Sequence, residues 1–209
     1  MPFFFLLPHT ARCSALHLAA SRGHAQLAAM LVDKGAELEA EDASGKTPLH
    51  WAAARGQVAA AEVLCRVGAS CEARDILEKT PLHLAAHAGH ASFVDFLIAG
   101  CGCDVGAQDV FNATAAHFAA RYGRGHVLEL LIQGGSKLQA LDAAMWSPLH
   151  WAETHNHSHI CARLRSLGCS TEEEPVSPNT LPDVDDLVDM ASGPLADLRY
   201  ACSSHCLLL

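Results

Sequence analysis

The 209-residue sequence predicts an all-α repeat solenoid, and three observations predict it. First, the stretch Thr47-Pro48-Leu49-His50 returns as Ser14-Ala15-Leu16-His17, Thr80-Pro81-Leu82-His83, Thr114-Ala115-Ala116-His117 and Ser147-Pro148-Leu149-His150, so the histidines stand 33, 33, 34 and 33 residues apart. Second, glycine recurs twice in each unit at matching places. Third, the apolar residues between those glycines fall at helical spacing. A period of this length marks a stacked array in which no unit buries its own apolar face, so neighbours supply the core.

Each element of the unit has a physical reason. Ser or Thr opens a first helix because its side-chain oxygen takes an orphan amide of the first turn, and Pro directly after it sits where a missing N–H costs nothing. The Ala-rich helix ends at Gly23, Gly56, Gly89 or Gly123, with Asn156 in that place in the last unit, because a left-handed residue closes the helix there. A second helix carries Leu27 and Leu31, Phe93 and Leu97, Val127 and Leu131, or Ile160 and Leu164 on one face, and stops at Gly35, Gly68, Gly102, Gly135 or Gly168. Asp42, Asp75, Asp109 and Asp142 then open a turn into the next unit. The expected organisation is an apolar flap at 1–13, repeats at 14–46, 47–79, 80–113, 114–146 and 147–171, and an acidic tail at 172–209.

Two antiparallel helices and a projecting turn on this period resemble the ankyrin repeat over residues 11–171. The departures carry expectations too. The glycine three residues after the turn Asp survives only as Gly45 and gives way to Glu78, Asn112 and Met145, which predicts less regular fingertips. The asparagine common four residues after the second glycine is replaced by Glu39, Glu72, Gly106 and Gln139, so the hydroxylation seen in some members of that family is not expected. One additional residue between Leu97 and Gly102 predicts a bulged loop at Ala99-Gly100-Cys101-Gly102-Cys103.

Composition and charge narrow the function. The net charge is −9, and residues 172–209 hold eight acids against Arg199. Neither part offers the basic face that neutralises phosphates, so no nucleic-acid binding is expected. Nine cysteines without paired spacing read as reduced thiols, which points to a cytoplasmic or nuclear setting. The run Phe3-Phe4-Phe5-Leu6-Leu7 is too short for a secretory segment or a bilayer span. Repeat 1 looks like an interior unit, so either residues 1–13 cover it or upstream repeats are missing from this chain; repeat 5, with Glu153, His155, His157, His159, Arg163 and Arg165, looks like a polar C-terminal cap.

In the tail, Ser177-Pro178 reads as a proline-directed phosphorylation site or a plain turn. Val184, Leu187 and Val188 share one face of a short helix that binds a partner or packs on the last repeat. The ending Cys206-Leu207-Leu208-Leu209 resembles a geranylgeranylation signal, with Cys202 as a second acylation candidate; membrane association would follow only if Cys206 is prenylated.

No catalytic constellation is recognisable, and no cofactor or metal site is expected. The motif histidines read as structural, His155 and His159 as part of a polar face, and Cys101-Gly102-Cys103 as too tightly spaced for a structural zinc site. The resemblance implies a binding surface on the turn tips and the edge of the first helices. Carried over by position, it comprises Arg55, Ile76, Leu77, His87, Val110, Phe111, Arg121, Tyr122, Trp146 and His155. Ile76, Leu77, Val110, Phe111 and Trp146 are expected to project as apolar groups from solvated fingers. The functional expectation is a monomeric, non-enzymatic scaffold or adaptor for a protein partner, using repeats 2–5. The alternatives are a prenylated membrane-tethered regulator and the substrate-recognition subunit of a larger enzyme assembly such as a ubiquitin ligase, although no ligase-recruiting box follows the repeats.

Overall fold

The computed structural model describes residues 12–171. The apolar flap, Ser177, the segment 183–190, Cys202 and Cys206 therefore lie outside the described residues, apart from Arg12 and Cys13 at the flap's end.

Helices come in antiparallel pairs, one pair per motif histidine: α1 (Ala15–Ser21) with α2 (Ala25–Asp33), α3 (Pro48–Arg55) with α4 (Val58–Arg66), α5 (Pro81–Ala88) with α6 (Ala91–Asp95), α7 (Ala115–Arg121) with α8 (Gly125–Gln133), and α9 (Pro148–Thr154) with α10 (Ser158–Ser166). The first helices stack on one another in order and the second helices form a parallel row behind them. Among the described residues there is no strand, only an isolated bridge between Gln108 and Thr114, and no helix is long and apolar enough to cross a membrane.

Capping explains why each first helix starts where it does. Ser14, Thr47, Thr80, Thr114 and Ser147 are extended N-caps, each in a reciprocal box whose third helical residue is the motif histidine. The imidazole Nδ1 accepts the N-cap backbone N–H, at 3.1 Å from Ser14 and 3.2 Å from Thr47. A histidine thus takes the place that Glu or Gln holds in the usual box. The helices end as their sequence requires: Gly56 and Gly89 are left-handed C-caps, and Asn156 adopts φ 60° in the corresponding place.

The core runs through all pairs. Small alanines let the first helices approach, as Ala52, Ala53, Ala85, Ala86, Ala119 and Ala120 are fully buried. Leu64, Phe93, Val94, Leu97, Leu128, Leu131, Ile160 and Leu164 fill the space behind them. The first pair differs. Leu27 is 45% exposed, whereas its counterparts Ala60, Phe93, Val127 and Ile160 are at most 1% exposed. No repeat precedes it among the described residues, so a position that is interior elsewhere faces outward here.

The additional residue of repeat 3 goes somewhere other than expected. It is absorbed inside the second helix, which widens into a π turn over Phe96–Gly100, with Cys101 N–H bonding the carbonyl of Phe96 five residues back. A wide turn keeps backbone groups paired, whereas a bulged loop would strand them. Leu97 thereby stays fully buried.

Candidate functional site

The fingers between repeats are built on one carboxylate each. Asp42 Oδ1 accepts from the N–H of Ser44 at 2.7 Å and of Lys46 at 2.9 Å. Asp75 repeats this with Leu77 and Lys79, both at 2.9 Å, and Asp109 with Phe111 and Ala113, both at 2.9 Å. Asp142 does the same with Ala144 and Trp146, at 2.9 and 2.8 Å. The fingertips are therefore regular, contrary to the expectation from their missing glycines. Glu78, Asn112 and Met145 adopt the positive φ of Gly45, at 57°, 56° and 64°, because the two amide bonds to the aspartate hold the turn closed. Such a φ costs an L-residue about 1 kcal/mol.

Neighbouring fingers are joined by backbone bonds: Ile76 N–H to Ser44 C=O, Val110 N–H to Leu77 C=O and Ala143 N–H to Phe111 C=O, at 3.1, 3.1 and 2.8 Å. Each is lashed from behind as well. The motif histidine's Nδ1 already accepts the hydrogen bond of the N-cap N–H, so Nε2 carries the ring hydrogen and donates it to a carbonyl at the end of the next finger. His17 reaches Lys46 at 2.8 Å, His50 reaches Lys79 at 2.9 Å, His83 reaches Ala113 at 3.2 Å and His117 reaches Trp146 at 3.0 Å. His150 Nε2 is buried without a partner among the described residues. Burial lowers the pKa of His50 and His117 and takes that of His83 down to about 4, so these rings are neutral at physiological pH.

Of the apolar residues expected to project, Ile76 is 65% and Val110 46% exposed, while Leu77 and Phe111 are half-buried. Trp146 does not project. It lies four residues after its aspartate, in register with inward-packing Ala113, and its ring tilts against His150 with centroids 6.4 Å apart. Its indole N–H is buried and has no partner among the described residues. Met145, 49% exposed, takes the outer place in that finger, a residue the sequence reading left out of the surface.

Along the first-helix edge, His87 and Tyr122 meet edge to face at 4.2 Å. The Arg121 guanidinium lies 5.6 Å from the Tyr122 ring and 5.2 Å from that of Trp151. Lys79 Nζ sits 5.0 Å from the Phe118 ring, a cation–π contact that sequence reasoning missed because the two residues belong to different repeats. Arg55 is exposed at the end of α3. His155 is exposed but turned onto its own helix, its Nδ1 2.9 Å from the Trp151 carbonyl. His157 donates to the Arg121 carbonyl at 2.8 Å, which ties repeat 5 to repeat 4.

The aspartates differ in electrostatics. Burial alone would raise the Asp42 carboxyl, but bonds from Lys46, Ser44 and the Trp51 indole outweigh it and hold the pKa below its ordinary value. Trp51 Nε1 donates to Asp42 Oδ2, and Trp151 Nε1 to Asp142 Oδ2, both at 2.8 Å. Phe118 occupies that register beside Asp109, whose Oδ2 is buried without a partner among the described residues. There burial prevails over the Phe111 and Ala113 amides and the pKa is raised.

A second cluster forms away from the fingers, at the C-terminal ends of the second helices of repeats 2 and 3. Ligand atoms of Cys71, Glu72 and Cys103 lie within 4.8 Å of one another. Within the sequence they are a loop pair and a residue 32 positions after Cys71, so only stacking brings them together.

The family model described as Ankyrin repeats (3 copies) matches residues 3–75 and 77–174. No curated protein matches the sequence. Ankyrin repeats are in general protein–protein interaction modules and belong to a family that is generally non-enzymatic. Paired helices, histidine-capped starts and aspartate-closed fingers agree with that match, and the chain belongs to the ankyrin repeat family.

Proposed function

We propose that this chain is a non-enzymatic adaptor that docks a protein partner along the fingertips and first-helix edge of repeats 2–5. The observation that carries this reading is the row Ile76, Val110 and Met145, exposed apolar side chains on successive fingers. Large apolar groups on solvated turns gain free energy when a partner covers them. The fingers beneath are fixed before binding, through the aspartate bonds, the finger-to-finger bonds and the histidine lashes. Little conformational entropy is then lost on association. His87, Arg121 and Tyr122 continue the surface with the aromatic and guanidinium chemistry of interface anchors. We further propose that the chain acts as a monomer in the cytoplasm or nucleus.

Replacing Ile76 and Val110 together with Ser tests the reading without touching the core. Partners captured by the wild-type chain, identified by mass spectrometry, should be lost by the double variant while its far-ultraviolet circular dichroism is unchanged. Equal capture by both proteins refutes this surface.

A further inference from the structure

The stacking of repeats 2 and 3 gathers thiols that the finger surface does not use. Cys71 and Glu72 occupy the turn after α4, and Cys103 follows the π turn of the next repeat; their ligand atoms lie within 4.8 Å of one another. Cys101 lies outside that group. Cys103 is buried and the other thiols are half-buried, while Glu72 opens to solvent and leaves an entry path. Its carboxylate is oriented by the Asp104 N–H at 2.8 Å, which leaves the second oxygen available.

We propose that Cys71, Cys103 and Glu72 form a binding site for a thiophilic divalent cation, with Zn2+ as the fitting ion. Two sulfurs and one carboxylate oxygen supply three of the four positions that Zn2+ takes, with water in the fourth, and these ligands impose no redox requirement. Binding is a substitution of protons by metal: one Zn2+ enters, two thiols become thiolates and two protons leave to solvent. Tying the turn of repeat 2 to that of repeat 3, the ion would brace the inter-repeat junction behind the fingers.

The test is a titration of the full chain, reduced with a phosphine, by Co2+ and then Zn2+. Binding shows as a sulfur-to-cobalt charge-transfer band with tetrahedral ligand-field bands, and Zn2+ should abolish both at one equivalent. Cys71→Ser combined with Cys103→Ser should weaken binding at least about a hundredfold, beyond the usual loss from a supporting partner. Glu72→Gln, an exposed change that leaves the core alone, should weaken it about tenfold. Cys13→Ser and the pair Cys202→Ser with Cys206→Ser should bind as wild type does. A reduced chain without the charge-transfer band overturns the proposal. So does a band that survives in the Cys71/Cys103 variant or disappears in the Cys202/Cys206 variant. Thiols that ignore Co2+ but join as a Cys71–Cys103 disulfide on exposure to peroxide overturn it as well.

Discussion

Moving this protein from pH 7 to pH 5 should destabilise it by at least about 2 kcal/mol through His83 alone. His83 is 1% exposed. Its Nδ1 accepts the Thr80 N–H at 3.1 Å and its Nε2–H points at the Ala113 carbonyl, 3.2 Å away. A proton added at Nδ1 would face the Thr80 donor, and the charge would be buried beside Lys79 and Arg74, which repel it. Burial first and those cations second bring the pKa to about 4 from an ordinary 6.5. The unfolded chain thus binds a proton through the window from 6.5 down to 4 while the native ring does not, so stability falls as pH falls through it. The full gap corresponds to about 3 kcal/mol, of which about 2 lies between pH 7 and pH 5. His50 and His117, also lowered by burial, act in the same direction. Asp109, raised by burial, acts in the opposite sense nearer the carboxylate range. Urea unfolding followed by circular dichroism at both pH values, on wild type and His83→Gln at constant ionic strength, measures the effect. The variant should be weaker at pH 7 yet lose about 2 kcal/mol less on acidification. Identical pH dependence in the two proteins would refute the reasoning.

Phe118→Trp should place an indole N–H against the orphaned Oδ2 of Asp109, as Trp51 and Trp151 do for their aspartates at 2.8 Å. A gain of about 1 kcal/mol in unfolding free energy and a lower Asp109 pKa by carbon-13 titration are expected; a loss of stability would show that the ring cannot be accommodated. Leu64→Ala, at a fully buried position between second helices, should cost about 3 kcal/mol in the same urea assay. Met145→Gly should relieve the left-handed strain at φ 64° and leave the urea midpoint equal or higher, while weakening partner capture through loss of an exposed apolar tip. A midpoint that falls would place Met145 among the residues that hold the finger.

Much of this architecture was legible in the sequence because it is local and repeated. The Ser or Thr cap, the proline and the histidine sit within four residues of one another and return with each unit, so helix starts and the 33-residue spacing could be read directly. The additional residue of repeat 3 was visible, but its destination was not: whether a helix widens or a loop swells depends on keeping Leu97 buried, a tertiary demand. Fingertip regularity was underestimated because the two amide bonds to each aspartate outweigh the cost of positive φ at Glu78, Asn112 and Met145. Trp146 was misplaced for a simpler reason: bulk and hydrophobicity suggested a projecting tip, whereas its register, shared with Ala113, points it inward. The thiol cluster has no linear signature at all, since Cys71 and Cys103 meet only through stacking.

The histidine lashes bear on how such a chain can be lengthened by duplication. Each unit holds both ends of its own lash, His17 with Lys46 in one and His50 with Lys79 in the next. A duplicated unit inserted between two others therefore brings its donor and its carbonyl with it and needs no change elsewhere. Among the described residues the Nε2 of His150 has no carbonyl partner, so the finger of a unit that copies repeats 1 to 4 is what would complete the fifth lash.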